Sequence, residues 1–196
     1  MGIELEYPDG ATPLSEEELD ELIPSLSTQG ELNEFEAVNI QEATEWIERS
    51  KSVKSKLLAP STVREIHKQM FGRTWKWAGK YRTTEKNIGV DPSQILTQLK
   101  QLSDDVACWI EFKSYNSKEI CVRFHHRLVS IHPFPKGNGR HARLMTDLLA
   151  QQLEIPRPTW GLVVLVHPGQ ARTQYLRSLE HADQKDYGPL LTFAFS

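Results

Sequence analysis

The chain has 196 residues, 39% hydrophobic and 25% charged, with a formal net charge of −3. This suits one well-buried core with a small appended arm and argues against wholesale disorder. The slight negative charge also argues against general nucleic-acid binding, which needs cations spread along a face. No run approaches the roughly 18 apolar residues of a membrane span, and the acidic start MGIELEYPDG lacks the features of a signal peptide. A cytoplasmic protein is expected, with Cys108 and Cys121 as buried packing residues in a reducing compartment.

Residues 1–14 read as an extended arm. Ser15 opens S-E-E-E, a capping box for a short helix from Glu16 to about Ile23, halted by Pro24. Thr28 and Glu31 form a second capping pair. The helix behind them runs to about Ser50 with Leu32, Phe35, Val38, Ile40, Ala43, Trp46 and Ile47 at roughly helical spacing. Lys51 to Lys56 is polar and reads as a connection. Pro60 opens a helix that Gly72 ends. Residues 73–92, rich in aromatics and turn formers, predict a short β-hairpin. Further helices are expected from Ser93 to Phe112, from Asn116 to Ile131, from Arg140 to about Gln152 and from Pro168 to Ala182, with a final turn from Pro189.

The stretch Ile131 to Leu144, IHPFPKGNGRHARL, stands out. It holds two histidines, a Gly-Asn-Gly run and two arginines, and no carboxylate. Free N–H groups and the positive end of the dipole make a helix N-terminus an anion site, and phosphate is the anion expected. His132 at its lip can take a proton near neutral pH.

Within it, His132, Phe134, Gly137, Asn138, Gly139, Arg140 and Arg143 fall at the spacing of the Fic motif, H-x-F-x-[D/E]-G-N-G-R-x-x-R. The chain resembles the Fic/Doc family over roughly residues 60–195, and looks most like the mobile mystery protein B subfamily of mobile elements. The resemblance implies a mainly α fold, a Fic-like helical bundle with a short β-hairpin flap beside the active-site loop. It implies an N-terminal arm and helices over 1–58 and a Fic domain over 59–196. It also implies transfer of AMP, or another nucleoside monophosphate, from ATP or another nucleoside triphosphate to a Ser, Thr or Tyr hydroxyl of a protein, which includes the chain itself. His132 would be the base. Lys136, Gly137, Asn138, Gly139, Arg140 and Arg143 would bind phosphate, Phe134 would anchor the loop, and Thr84, Lys86, Asn87, Ile88 and Gly89 would form the target-docking flap. A homodimer is left open.

Where the family carries its Mg²⁺-binding acid, this chain has Lys136. An ammonium group cannot ligate Mg²⁺. Two readings follow. In one, Lys136 itself neutralises phosphate; in the other, transfer is weak or lost and the chain is a phosphate-binding or regulatory module. Some family members carry an S/T-x-x-x-E-G/N helix whose glutamate blocks the site. Ser27 to Glu31 matches in part, although Glu31 also suits a capping box with Thr28. His125 and His126 lack metal-ligand spacing and read as packing or surface residues. His141 and His181 are expected on helix surfaces, and His67 and His167 carry no motif. Trp75 and Trp77 are expected to brace the flap.

Overall fold

The structure, a computed structural model, describes residues 5, 7, 11–161 and 168–196. Helix α1 (Glu16–Leu19) starts at Ser15, whose hydroxyl accepts the Glu18 N–H while the Glu18 carboxylate accepts the Ser15 N–H. This capping box satisfies two donors that a helix start leaves orphaned. The helix ends earlier than expected because Leu22 forms an antiparallel bridge with Trp75 and the Ile23 N–H donates to the Thr74 carbonyl. Helix α2 (Gln29–Arg49) is capped by Thr28 and Glu31 in the same way. Its buried face is Leu32, Glu36, Asn39, Ala43 and Ile47. The expected face differs: Val38 is 58% exposed, because two polar residues occupy the true stripe.

Lys51–Lys56 is not a plain connection. Ser50 accepts the Val53 N–H and starts a one-turn helix, α3 (Lys51–Ser55). Helix α4 (Pro60–Phe71) has proline in its first turn and Gly72 as its C-cap. Residues 73–92 contain turns and open loop, and no strand occurs among the described residues, so the expected β-hairpin is not formed there. A 3₁₀ turn (Pro92–Gln94) leads into α5 (Ile95–Glu111), followed by α6 (Ser117–Ile131), α7 (Asn138–Gln152), α8 (Pro168–Asp183) and α9 (Gly188–Phe195). None of the described helices is long and apolar enough to cross a membrane.

Helix α4 packs on α2, α5 and α7, while α6 packs on α5, α7 and α9. Trp75, Phe71, Phe124 and Phe134 are fully buried where these helices meet, and burial of each such side chain is worth about 1.5–3 kcal/mol. Three histidines are fully buried in this interior. His67 accepts the Gly79 N–H at Nδ1 (3.0 Å) and donates from Nε2 to the Lys136 carbonyl (3.0 Å), which fixes it as a neutral imidazole. His141 is wholly buried against the Val63 carbonyl, 2.9 Å away, and is not on a helix surface as its sequence position suggests. His125 lies between Tyr175 and Thr146. His126 is buried and sits 2.7 Å from Asp183, and His181 is exposed beside Asp186. Cys121 is buried as expected, but Cys108 is exposed, being on the outer face of α5. His167 lies outside the described residues.

Burial pushes His125 down to about 3 and His141 down to about 4, and holds His67 well below its ordinary 6.5. The unfolded chain binds protons near 6.5 while the fold does not, so stability is lost as pH falls from that value toward 4. At about 1.4 kcal/mol per pKa unit, the loss should total several kcal/mol. Urea midpoints measured between about pH 7.5 and 5 should fall steadily with pH; a constant midpoint would mean these imidazoles are charged inside the protein.

Candidate active site

Helix α6 ends on His132, which takes a left-handed backbone conformation, φ 50° and ψ 61°. A residue with a Cβ adopts that conformation only where its surroundings enforce it. Here they do so through Arg82, which is 3% exposed. Its Nε donates to the His132 carbonyl (2.7 Å), Nη1 to the Thr84 carbonyl (2.9 Å), and Nη2 to the carbonyls of Val90 and, at 3.5 Å, Ile131. Its own N–H donates to the Pro133 carbonyl. One guanidinium thus ties residues 82–90 to the end of α6. It takes carbonyls at both ends of that segment, which is why the segment forms a clamped loop and not a strand ladder. Gly89 has φ 116°, and a Cβ there would lie 2.5 Å from Arg82 Nη2.

His132 itself is 6% exposed. Burial, then the Arg82 guanidinium, push its pKa down to about 4, with the Val129 carbonyl opposing and Lys86 adding to the drop. The imidazole is therefore neutral at physiological pH and able to accept a proton. Its Nε2 lies 3.1 Å from the Thr12 hydroxyl.

The next turn is shaped by side chains that point inward. Phe134 is buried and stacks on His67 at 3.7 Å. The Asn138 amide closes the loop on itself, accepting from the Phe134 N–H (3.0 Å) and donating to the Phe134 carbonyl (2.7 Å). Its side chain is thereby spent on loop geometry. Gly137, at φ 83°, presses on Phe71, and a Cβ would stand 2.7 Å from that ring. No side chain caps α7, whose first intrahelical bond is from the His141 N–H to the Gly137 carbonyl. The amides ahead of His141 carry the positive end of the helix dipole.

These groups border a cavity of about 560 Å³ lined by His132, Lys136, Gly137, Asn138, Gly139, Arg140 and Arg143, with Thr12, Ile88 and Tyr175 also on its wall. A Cβ on Gly139 would meet nothing within 4 Å. Arg143 lies 5.6 Å from the Tyr175 ring centre. Arg140 lies over the Phe71 ring and forms an ion pair with Glu36 at 2.6 Å. Glu36 is 1% exposed, and its other oxygen accepts the Trp75 Nε1–H at 2.8 Å. Burial lowers the Lys136 pKa and the Glu36 carboxylate pulls it back up; its Nζ is 5.4 Å from the Tyr7 ring centre.

The motif residues therefore meet around one cavity. Of the expected flap residues, Thr84, Asn87, Ile88 and Gly89 are exposed, and Lys86 pairs with Glu18 at 2.5 Å. Trp75 and Trp77 stack at 5.0 Å. Ser27 and Glu31 stand at the exposed start of α2, where the Glu31 carboxylate accepts the N–H groups of Ser27 and Thr28. The carboxylate that reaches the motif is Glu36. Sequence reasoning missed it, together with Arg82, Thr12 and Tyr175. The available signal for Glu36 was a charge standing on a helical stripe of apolar residues. These donors do not fit a magnesium ion: lysine stands at the motif position, and Glu36 is engaged by Arg140 and Trp75.

Residues 57–150 match the sequence model of the Fic/DOC family. Over that stretch the chain is similar to Fic domains. It is 30% identical over 137 residues to protein adenylyltransferase fic-1 of Caenorhabditis elegans, a match that covers 66% of this chain and 25% of that protein. The chain thus spans about a quarter of that relative's length. A solved structure of Fic-1 from the same organism superposes with a TM-score of 0.68 at 27% identity, over 88% of this chain and 50% of that one. The fold also matches the BepC effector of Bartonella tribocorum with bound AMPPNP, with a TM-score of 0.67 at 18% identity over 95% of this chain and 92% of that one.

The two motif glycines should separate in mutation. Gly137→Ala should destabilise the protein by about 1–3 kcal/mol, from a strained backbone and the clash with Phe71. Gly139→Ala should fold with wild-type stability yet weaken nucleotide binding, since its methyl enters the cavity. Thermal melts beside calorimetric titration with ATP would check both.

Proposed function

We propose that this Fic-like domain transfers a nucleoside monophosphate, AMP from ATP in the first instance, to a protein hydroxyl. The observation that carries the reading is a buried, neutral imidazole at the rim of a cavity whose other wall is an uncapped helix N-terminus with Lys136, Arg140 and Arg143. In the reaction, the attacking hydroxyl gives its proton to His132 Nε2 as its oxygen bonds to the α-phosphorus. The bond to the β-phosphate oxygen breaks, and pyrophosphate leaves with the electron pair. The amides at the start of α7 and the two guanidiniums stabilise the charge that builds on the phosphates. Lys136 supplies a compact positive charge where a metal would otherwise help, and no step is assigned to Mg²⁺. The loop of residues 84–89, with Ile88 on the cavity wall, is the surface on which the target backbone docks.

A second reading, a weakened phosphate-binding or regulatory module, is favoured by one specific observation. Glu36 occupies a guanidinium that phosphate needs. The two anions compete for Arg140, and the apparent affinity for nucleotide is lowered by whatever the ion pair is worth.

Incubation with each α-labelled nucleoside triphosphate and cell lysate, with and without Mg²⁺, should label protein in a manner lost in His132→Ala. Nucleotide binding without any labelling would select the second reading. Lys136→Glu should make labelling more dependent on Mg²⁺; an unchanged dependence would show that this position is not in contact with the phosphates. Glu36→Gln keeps an acceptor for Trp75 but removes the charge, and should tighten ATP binding by roughly tenfold, the carboxylate being buried and the guanidinium one-third exposed. Calorimetry giving the same Kd for Glu36→Gln as for wild type would remove Glu36 as a competitor.

A further inference from the structure

The described residues Ala11–Leu14 lie in the groove between the clamped loop and His132. Two contacts hold them to that loop, and a third ties them to Tyr7 of the same arm. The Asn87 amide donates to the Ala11 carbonyl at 3.3 Å, the Lys86 ammonium donates to the Pro13 carbonyl at 3.1 Å, and the Leu14 N–H donates to the Tyr7 hydroxyl at 3.2 Å. Loop residues 86 and 87 thus hold the carbonyls on either side of Thr12, at Ala11 and Pro13. Thr12, between them, is 9% exposed and points at the base: its hydroxyl is 3.1 Å from His132 Nε2 and lines the same cavity as the motif residues. That distance is within the reach expected between a general base and the proton it removes. Lys86 is itself anchored by Glu18 at the start of α1, with 7% and 14% of the two side chains exposed.

We propose that Thr12 is an acceptor hydroxyl of this site, modified by the chain that carries it. The inference rests on the transferase reading above and adds its substrate. Thr12 Oγ1 attacks the α-phosphorus of the bound nucleoside triphosphate as its proton passes to His132 Nε2. The new Oγ1–P bond replaces the bond to the β-phosphate, and pyrophosphate departs with the electron pair. Thr12 is left as a phosphodiester of the nucleoside. Until then, the segment occupies the groove in which another protein's hydroxyl would dock, so external targets compete with Thr12 for the base.

The test uses the purified full chain and each of the four α-labelled nucleoside triphosphates, with and without Mg²⁺, followed by peptide mapping. Label should appear on Thr12, be lost in Thr12→Val, persist in Thr12→Ser and vanish in His132→Ala. Its first-order rate constant should not change when the protein is diluted. Label on another residue of the chain, undiminished label in Thr12→Val, or a rate constant that falls with dilution would overturn the proposal. Adding lysate distinguishes loss of Thr12 as acceptor from loss of the transferase activity. His132-dependent labelling of a lysate protein with none on the chain removes Thr12 as acceptor and leaves the transferase standing, whereas no label on any protein removes both.

Discussion

The bonds from Arg82 to the carbonyls around His132 are the constraint on which the site depends. A left-handed residue at a helix end is ordinarily glycine, yet this position must carry an imidazole. The guanidinium offers enough donors to grip several backbone oxygens at once, and it is almost fully buried against them. Removing it would leave those carbonyls without their partner, at a cost of about 1–3 kcal/mol for each that stays buried. The same side chain also places residues 84–89 beside the base. Position of the base and position of the docking loop are therefore one degree of freedom.

Beneath the loop, a second layer fixes the height of the anion site. His67 joins the Gly79 amide to the Lys136 carbonyl, Phe134 stacks on His67, and Asn138 ties the turn to Phe134. None of these groups needs to touch a ligand. They set the backbone so that the amides of α7 and the cationic side chains face one cavity, which is how a rigid site avoids reorganisation when charge develops.

Much of this was legible from local chemistry. Ser15, Thr28 and Asn116 mark helix starts through bonds that span three residues, Pro60 through its fixed backbone angle and missing N–H, and the structure has helices at each. The motif's contiguous spacing located the cavity for the same reason. What stayed hidden depends on contacts between distant parts of the chain. Glu36 meets Arg140 only because α2 packs on α4, whose Phe71 lies under that arginine. Arg82 reads as one more basic residue in a turn-rich stretch, and nothing near Thr12 in sequence announces that it faces His132. The polarity of an imidazole points His141 to the surface, whereas the Val63 carbonyl gives it a buried partner. Residues 73–92 show no strand for a related reason: local turn chemistry is present, but the Arg82 side chain takes backbone acceptors there.

Phe71 touches both halves of the molecule's problem. Its ring is buried in the core, supports Gly137 from below and lies under the Arg140 guanidinium. A larger or smaller side chain there would alter packing density and also shift the floor on which the anion site rests. Selection for a well-filled interior and selection for ligand recognition consequently act on the same six carbon atoms, and neither can be relaxed at this position without the other.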